Sequence, residues 1–158
     1  MLFHSLDSTL LNTIHAGTGR PPNVRGVGDE LKEVHAWLRG VLEEVRTHDR
    51  EPGSALKDLR AHCTGFCKAL GFHHRGEDEG IFPVVAQRFP ALAPALDRLS
   101  QDHVVIARVL AEIEAIDDPA RSRAEFDRLA ALLDEHFERE ERTIVPVLNA
   151  LGPVPGIY

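Results

Sequence analysis

Long apolar runs are missing from this sequence: no stretch approaches the roughly 20 residues needed to span a bilayer. The N-terminus has no basic segment followed by a long apolar one, so no signal peptide is expected, and a cytoplasmic location is the reading that follows. Cysteine is scarce. Cys63 and Cys67 stand four apart in a helical pattern, which fits neither a redox nor a zinc CxxC, and Cys63 reads as a small core hydrophobe. Positive charge is outnumbered, with 18 Lys and Arg against 25 Asp and Glu. The net charge of -7 argues against nucleic acid and against an anionic membrane surface as partners. Tyrosine occurs once, at Tyr158, and tryptophan once, at Trp37, which by spacing does not stand beside the polar stripe residues described below. Radical storage on a buried ring is therefore not expected.

Histidine is what the sequence has in excess, nine in 158 residues. Residues 1–28 read as an N-terminal extension: a short helix over Leu6 to His15, then a Gly- and Pro-rich loop, with His4 and His15 in surface or packing roles. Periodicity then predicts four helices over residues 29–149, followed by an irregular tail over 150–158. The first runs from about Asp29, a candidate cap, to Arg46, with Leu31, His35, Leu38, Leu42 and Val45 on one face. The second starts near Ser54 and carries Leu56, Leu59, Cys63, Phe66, Leu70, His73, Glu77, Ile81 and Val84. Gly71, Gly76 and Gly80 weaken it, and Pro83 should kink it or end it within a turn or two. The third holds Leu96, Leu99, His103, Ile106, Leu110 and Ile113, with Pro94 in its first turn. The fourth holds Leu129, Leu133, His136, Glu140, Ile144 and Val147.

The chain repeats itself. The offset that lays His35 on His103 also lays Leu31 on Leu99 and Leu42 on Leu110. The offset that lays His73 on His136 also superimposes Glu77 on Glu140, Ile81 on Ile144, Pro83 on Pro146 and Val84 on Val147. Two helical hairpins of one plan, joined by short connections, predict an all-α, up-down-up-down antiparallel four-helix bundle.

Six polar residues sit in the stripes: His35, His73, Glu77, His103, His136 and Glu140. A spacing of four brings imidazole and carboxylate onto one helix face, about 6 Å apart. One buried histidine is ordinary core. Four, with two glutamates and no Lys or Arg in any stripe, call for a cation pair, because uncompensated carboxylates in a core must take up protons or draw in water. Imidazole with carboxylate and no thiolate suits iron, manganese or zinc. If both glutamates bridge, two of six octahedral positions at each ion stay open for an oxide or hydroxide and an incoming small molecule. The remaining polar residues read as bystanders. His74 lies one step round the helix, outside the metal shell. His62 is some 16 Å along the helix from His73, and His48 falls in a turn. Asp78, Glu79, Glu138 and Glu141 read as a solvated face.

These motifs resemble the hemerythrin-like domains with the HHE cation-binding motif, over about residues 29–149. The resemblance implies two non-haem irons, oxo- or hydroxo-bridged, held by His35, His73, Glu77, His103, His136 and Glu140, with the two glutamates bridging; manganese or zinc are substitutes. It also departs from the oxygen carriers, which have a second histidine one turn after that of the third helix, where this chain has Ala107. The equivalent place on the first helix is Arg39, and the last helix has Glu140 at a spacing of four in place of Asp at five. The expectation is a centre that binds or reacts with O2, H2O2 or NO and is not a reversible O2 carrier. As an enzyme it would be a catalase- or peroxidase-like oxidoreductase served by a reductase. The alternatives are an iron- or oxygen-binding sensor or storage protein without turnover, and a structural zinc bundle, which the open positions disfavour.

Overall fold

The computed structural model describes residues 27–50 and 56–151, with the side chains of 48–50 and 56–63 left aside. Most of the N-terminal extension, the start near Ser54, the tail beyond Leu151, and the side chains of His48, His62 and Cys63 lie outside the described residues; the backbone of His48 is helical and not in a turn, and residues 150 and 151 continue the last helix in place of an irregular tail. Helix α1 spans Val27–Arg50 and α2 Leu56–Gly76. A wide π-helical turn follows over Glu77–Ile81, then α3 at Phe82–Arg88. After a single 3-10 turn come α4, Ala93–Glu114, and α5, Pro119–Leu151. The π turn makes α2 and α3 one long rod, so the bundle has the four helices that the periodicity predicts.

Cross-helix pairs fix the directions. Going up α1, Gly28, Arg39 and Arg46 meet Asn149, Asp134 and Asp127, going down α5. Along α4, Asp102 and Glu112 meet Arg139 and Arg128 of α5 in the same reversed order. Helix α1 packs on α5 and α2, and α4 packs on α5 and α2, as an antiparallel bundle requires.

Apolar side chains fill the bundle in two separate layers. The larger is built on Leu38, Leu42, Phe66, Leu70, Ile106, Phe126, Leu129 and Leu133. The smaller is built on Val27, Leu31, Ile81, Phe82, Val85, Leu99, Ile144 and Leu148. Each large side chain removed from water contributes about 1.5–3 kcal/mol. On every helix the polar stripe residues fall between the two layers: His35 between Leu31 and Leu38, His103 between Leu99 and Ile106. The polar cluster is thus a slab with oil above and below it.

Three details differ from the periodicity reading. Helix α1 is already formed at Val27, so Asp29 lies inside the first turn and is not the cap. Asn149 supplies that function from across the bundle, its Oδ1 accepting from the Gly28 N–H at 3.0 Å. At the other end of the chain's long rod, Val84 is only half-buried, and Phe82 and Val85 are buried in its place. Just before it lies the π turn, in which the Phe82 N–H reaches back to the Glu77 carbonyl. That turn adds one residue ahead of Pro83, whose ring would clash with the carbonyl four back in a regular helix. The rod then ends at Arg88, soon after the proline, as its position predicts. On α5, where Pro146 sits inside the helix, Val147 is likewise half-buried and Leu148 takes the core position.

The close approach of α1 to α5 depends on Gly28. A Cβ there would lie 2.7 Å from the Val145 carbonyl oxygen and 2.6 Å from Asn149 Oδ1. Backbone cannot yield as a side chain can. Gly28→Ala is expected to destabilise the bundle by about 1–3 kcal/mol despite the better helix propensity of alanine, read as a lower urea midpoint.

Candidate metal centre

The helices bring the six sequence-predicted residues together at the middle of the bundle, all of them buried. Ring nitrogens point inward in facing pairs. His35 Nε2 lies 3.0 Å from His73 Nε2, and His103 Nε2 lies 3.1 Å from His136 Nε2. Between the pairs lie the two carboxylates. Glu77 Oε1 is 3.0 Å from His73 Nε2 while its Oε2 is 3.3 Å from His103 Nε2, so this one side chain touches both pairs. Glu140 Oε2 is 3.2 Å from His35 Nε2 and 3.6 Å from His136 Nε2. Although these contacts are close, none of the four carboxylate oxygens completes a hydrogen bond of acceptable geometry.

The outward nitrogens are held by a surrounding set of carboxylates that sequence reasoning missed. Glu141 Oε1 lies 3.0 Å from His35 Nδ1, Asp78 Oδ1 lies 3.0 Å from His103 Nδ1, and Asp102 Oδ2 lies 3.3 Å from His136 Nδ1. Such a carboxylate accepts a hydrogen bond from Nδ1–H, which keeps the proton there and leaves the Nε2 lone pair facing the centre. Each of the three is steadied in turn. Arg39 donates to Glu141 at 3.4 Å, Ser100 to Asp78 at 2.6 Å and Arg139 to Asp102 at 2.7 Å. Asp78, Glu79 and Glu138 are exposed as expected, although Asp78 also reaches His103, whereas Glu141 is half-buried against His35. The Phe137 ring stacks on His35 at 4.0 Å, with the Arg39 guanidinium 5.1 Å from the same ring.

His74 is also placed differently from its reading as a bystander. It is buried, and its ring lies 3.9 Å from that of His103 and nearly parallel to it. The arc that α2 buries in the polar slab is wide enough to take in two consecutive residues.

Electrostatics show what this cluster lacks. Burial, then the nearby His73, pushes His35 down to about 2. Burial, then His103, pushes His136 down to about 4 and His74 well below the usual imidazole value. Burial opposes charge on His103 as well, but the Glu77 and Asp78 carboxylates outweigh it and raise that group. Burial, then the charge of Glu77, drives Glu140 far above the usual carboxylate range. The same burial acts on Glu77, but His73 and His103 override it and hold Glu77 well below that range. Only one of the two glutamates is left ionised by the protein's own groups. The other carries a proton beside the Glu77 carboxylate.

Divalent or trivalent cations fit the gap. Two donors at right angles on one ion, each about 2.1 Å from it, lie about 3.0 Å apart, which is the separation of the facing nitrogens. Donor atoms of His35, His73, Glu77 and Glu140 all lie within 4.8 Å of one another, as do those of His74, His103 and His136. The arrangement offers two adjoining ion positions with the carboxylates between them. Ala107 is exposed and Arg39 is engaged with Glu141 and Asp134, so neither position that departs from the carriers adds a donor. Trp37 packs on the larger apolar layer, away from the centre.

Comparison with known proteins agrees with this geometry. A search of curated proteins and a search of solved structures each returned no match. A family model described as the hemerythrin HHE cation binding domain matches residues 27–148, from the first described turn of α1 to the last buried leucine of α5. The chain belongs to the hemerythrin HHE cation-binding domain family.

Proposed function

We propose that the centre holds two non-haem iron ions with an oxo or hydroxo bridge, and that it reacts with a small oxidant: hydrogen peroxide, nitric oxide or dioxygen. His35 and His73 would hold one ion, His103 and His136 the other, and Glu77 and Glu140 would be shared. Manganese or zinc could occupy the same donors. The observation that carries the reading is the set of four buried carboxylate oxygens without a completed hydrogen bond, faced by inward-pointing imidazole nitrogens. When bound, iron would supply electrons and open coordination positions to the incoming molecule.

The chain's own residues set the conditions. Glu141, Asp78 and Asp102 keep protons on the outer nitrogens, which holds the imidazoles in one tautomer. The two apolar layers close the bundle axis above and below the centre. No donor at Ala107 or Arg39 completes the carrier pattern, which favours reaction over reversible transport. Reducing equivalents would come from a separate reductase. Among the described residues, no helix is long and apolar enough to cross a membrane.

The test is anaerobic loading with ferrous iron, then separate exposure to peroxide, nitric oxide and oxygen. Rapid consumption of peroxide or nitric oxide, lost in His73→Ala, supports this function. A spectrum that appears with oxygen and vanishes under vacuum would instead identify a carrier or a sensor without turnover. Asp102→Asn is expected to weaken metal retention by about 10–100-fold, measured by chelator competition, because the His136 ring loses the acceptor that fixes its tautomer.

A further inference from the structure

We propose that His74 is itself a metal ligand, the third imidazole at the position formed by His103 and His136, so that the two ions have unequal donor sets. The inference rests on the dinuclear reading above and adds a residue to it. His74 is only 6% exposed, and its Nε2 is buried with no hydrogen-bond partner. Histidines kept for packing alone normally satisfy a buried ring nitrogen. One ring nitrogen of His74 shares a compact group with the donors of His103 and His136, all within 4.8 Å of one another. Its ring lies nearly parallel to that of His103, interplanar angle 11°, and edge-on to that of His136 at 5.2 Å. Parallel rings hold their lone pairs in separate planes, so ligation requires the His74 ring to turn out of its stack on His103 toward the ion.

One position then has His35 and His73, and the other has His74, His103 and His136, with Glu77 and Glu140 between them. The richer nitrogen set favours a borderline transition metal over a hard cation such as magnesium or calcium. It also leaves one fewer open place at that ion, so an incoming small molecule enters at the ion held by His35 and His73.

The test is anaerobic titration of metal-free protein with ferrous iron, comparing wild type with His74→Ala and His74→Gln, after metal-free melts confirm that each variant is folded. Wild type is expected to take two equivalents, with two distinct iron environments in its Mössbauer spectrum. Each variant should keep one equivalent at wild-type affinity and bind the other about tenfold more weakly or worse, since even partners outside the ligand shell contribute that much. Free imidazole should restore the second equivalent in His74→Ala, which a packing role would not allow. Variants that bind both equivalents as wild type does overturn the ligand role and leave the dinuclear centre standing. A wild type that takes fewer than two ions overturns the dinuclear reading and this proposal together.

Discussion

Replacing both buried glutamates together, Glu77→Met with Glu140→Met, is expected to make the metal-free protein more stable and to abolish metal binding. The two effects have one origin. Both side chains are fully buried, and no oxygen of either completes a hydrogen bond. In the metal-free state they are a cost to folding that apolar groups of similar size would remove. Replacing buried charged groups by well-packed hydrophobic ones often stabilises by about 1–4 kcal/mol. With metal present the order reverses. A ligand at about a thousand times its dissociation constant stabilises by about 4 kcal/mol, and the variant gains none of this. Urea melts of both proteins, with and without ferrous iron, read the crossing. If metal-free wild type proved the more stable protein, the glutamates would be holding the fold together through contacts of their own, and the argument for a cation would fail.

Acidification is expected to unfold the metal-free bundle well before it affects the carboxylate pairs on the surface. His35, His74 and His136 all have folded values below the ordinary 6.5. A group depressed in this way stabilises the fold above its unfolded value, and the stabilisation is lost as the pH falls toward its folded value. The window therefore opens near pH 6.5 and runs down through about 4, the value for His136. Two groups work in the other direction. Glu140 and His103 are raised, so their contributions are present at low pH and are lost as the pH rises through their folded values. Three imidazoles lose and two groups partly offset them, which leaves a net loss on the order of 2–4 kcal/mol between pH 6.5 and pH 5. Bound metal ties up the same imidazoles and delays the loss to lower pH. Denaturant midpoints at several pH values, with and without metal, would show it. A metal-free protein equally stable at both ends of the window would mean that these rings are not kept neutral by burial.

Much of this centre was legible in the sequence because helical geometry is regular. His35, His73, Glu77, His103, His136 and Glu140 share the spacing of the leucines around them, and a buried leucine stripe carries any residue in it to the middle of the bundle. The parts not legible are those that depend on the width of the buried face and not on its period. Asp78, Asp102 and Glu141 are each next in sequence to a stripe residue, Glu77, His103 and Glu140. That puts them about 100° round the helix, on the seam between neighbours, where an acidic side chain can reach a ring nitrogen. An acidic residue beside a ligand was the available signal. His74 occupies the same kind of flank. The exchanges of Val84 for Val85 and of Val147 for Leu148 were hidden for a different reason: the two members of each pair stand three and four residues beyond Ile81 and Ile144, and a 3.6-residue period does not choose between those steps. Asp29 lost its expected capping place because α1 is already helical at Val27, where Asn149 across the bundle does the work.

The most direct test of the central claim is anaerobic titration of metal-free protein with ferrous iron, followed by thermal melting of the loaded and unloaded forms. Two ions are expected to bind each chain, and the melting temperature should rise on the order of 10 °C, as a stabilisation of about 4 kcal/mol implies for a domain of this size. Protein that stays empty in the presence of iron, manganese and zinc, and melts at the same temperature throughout, would contradict a cation between Glu77 and Glu140.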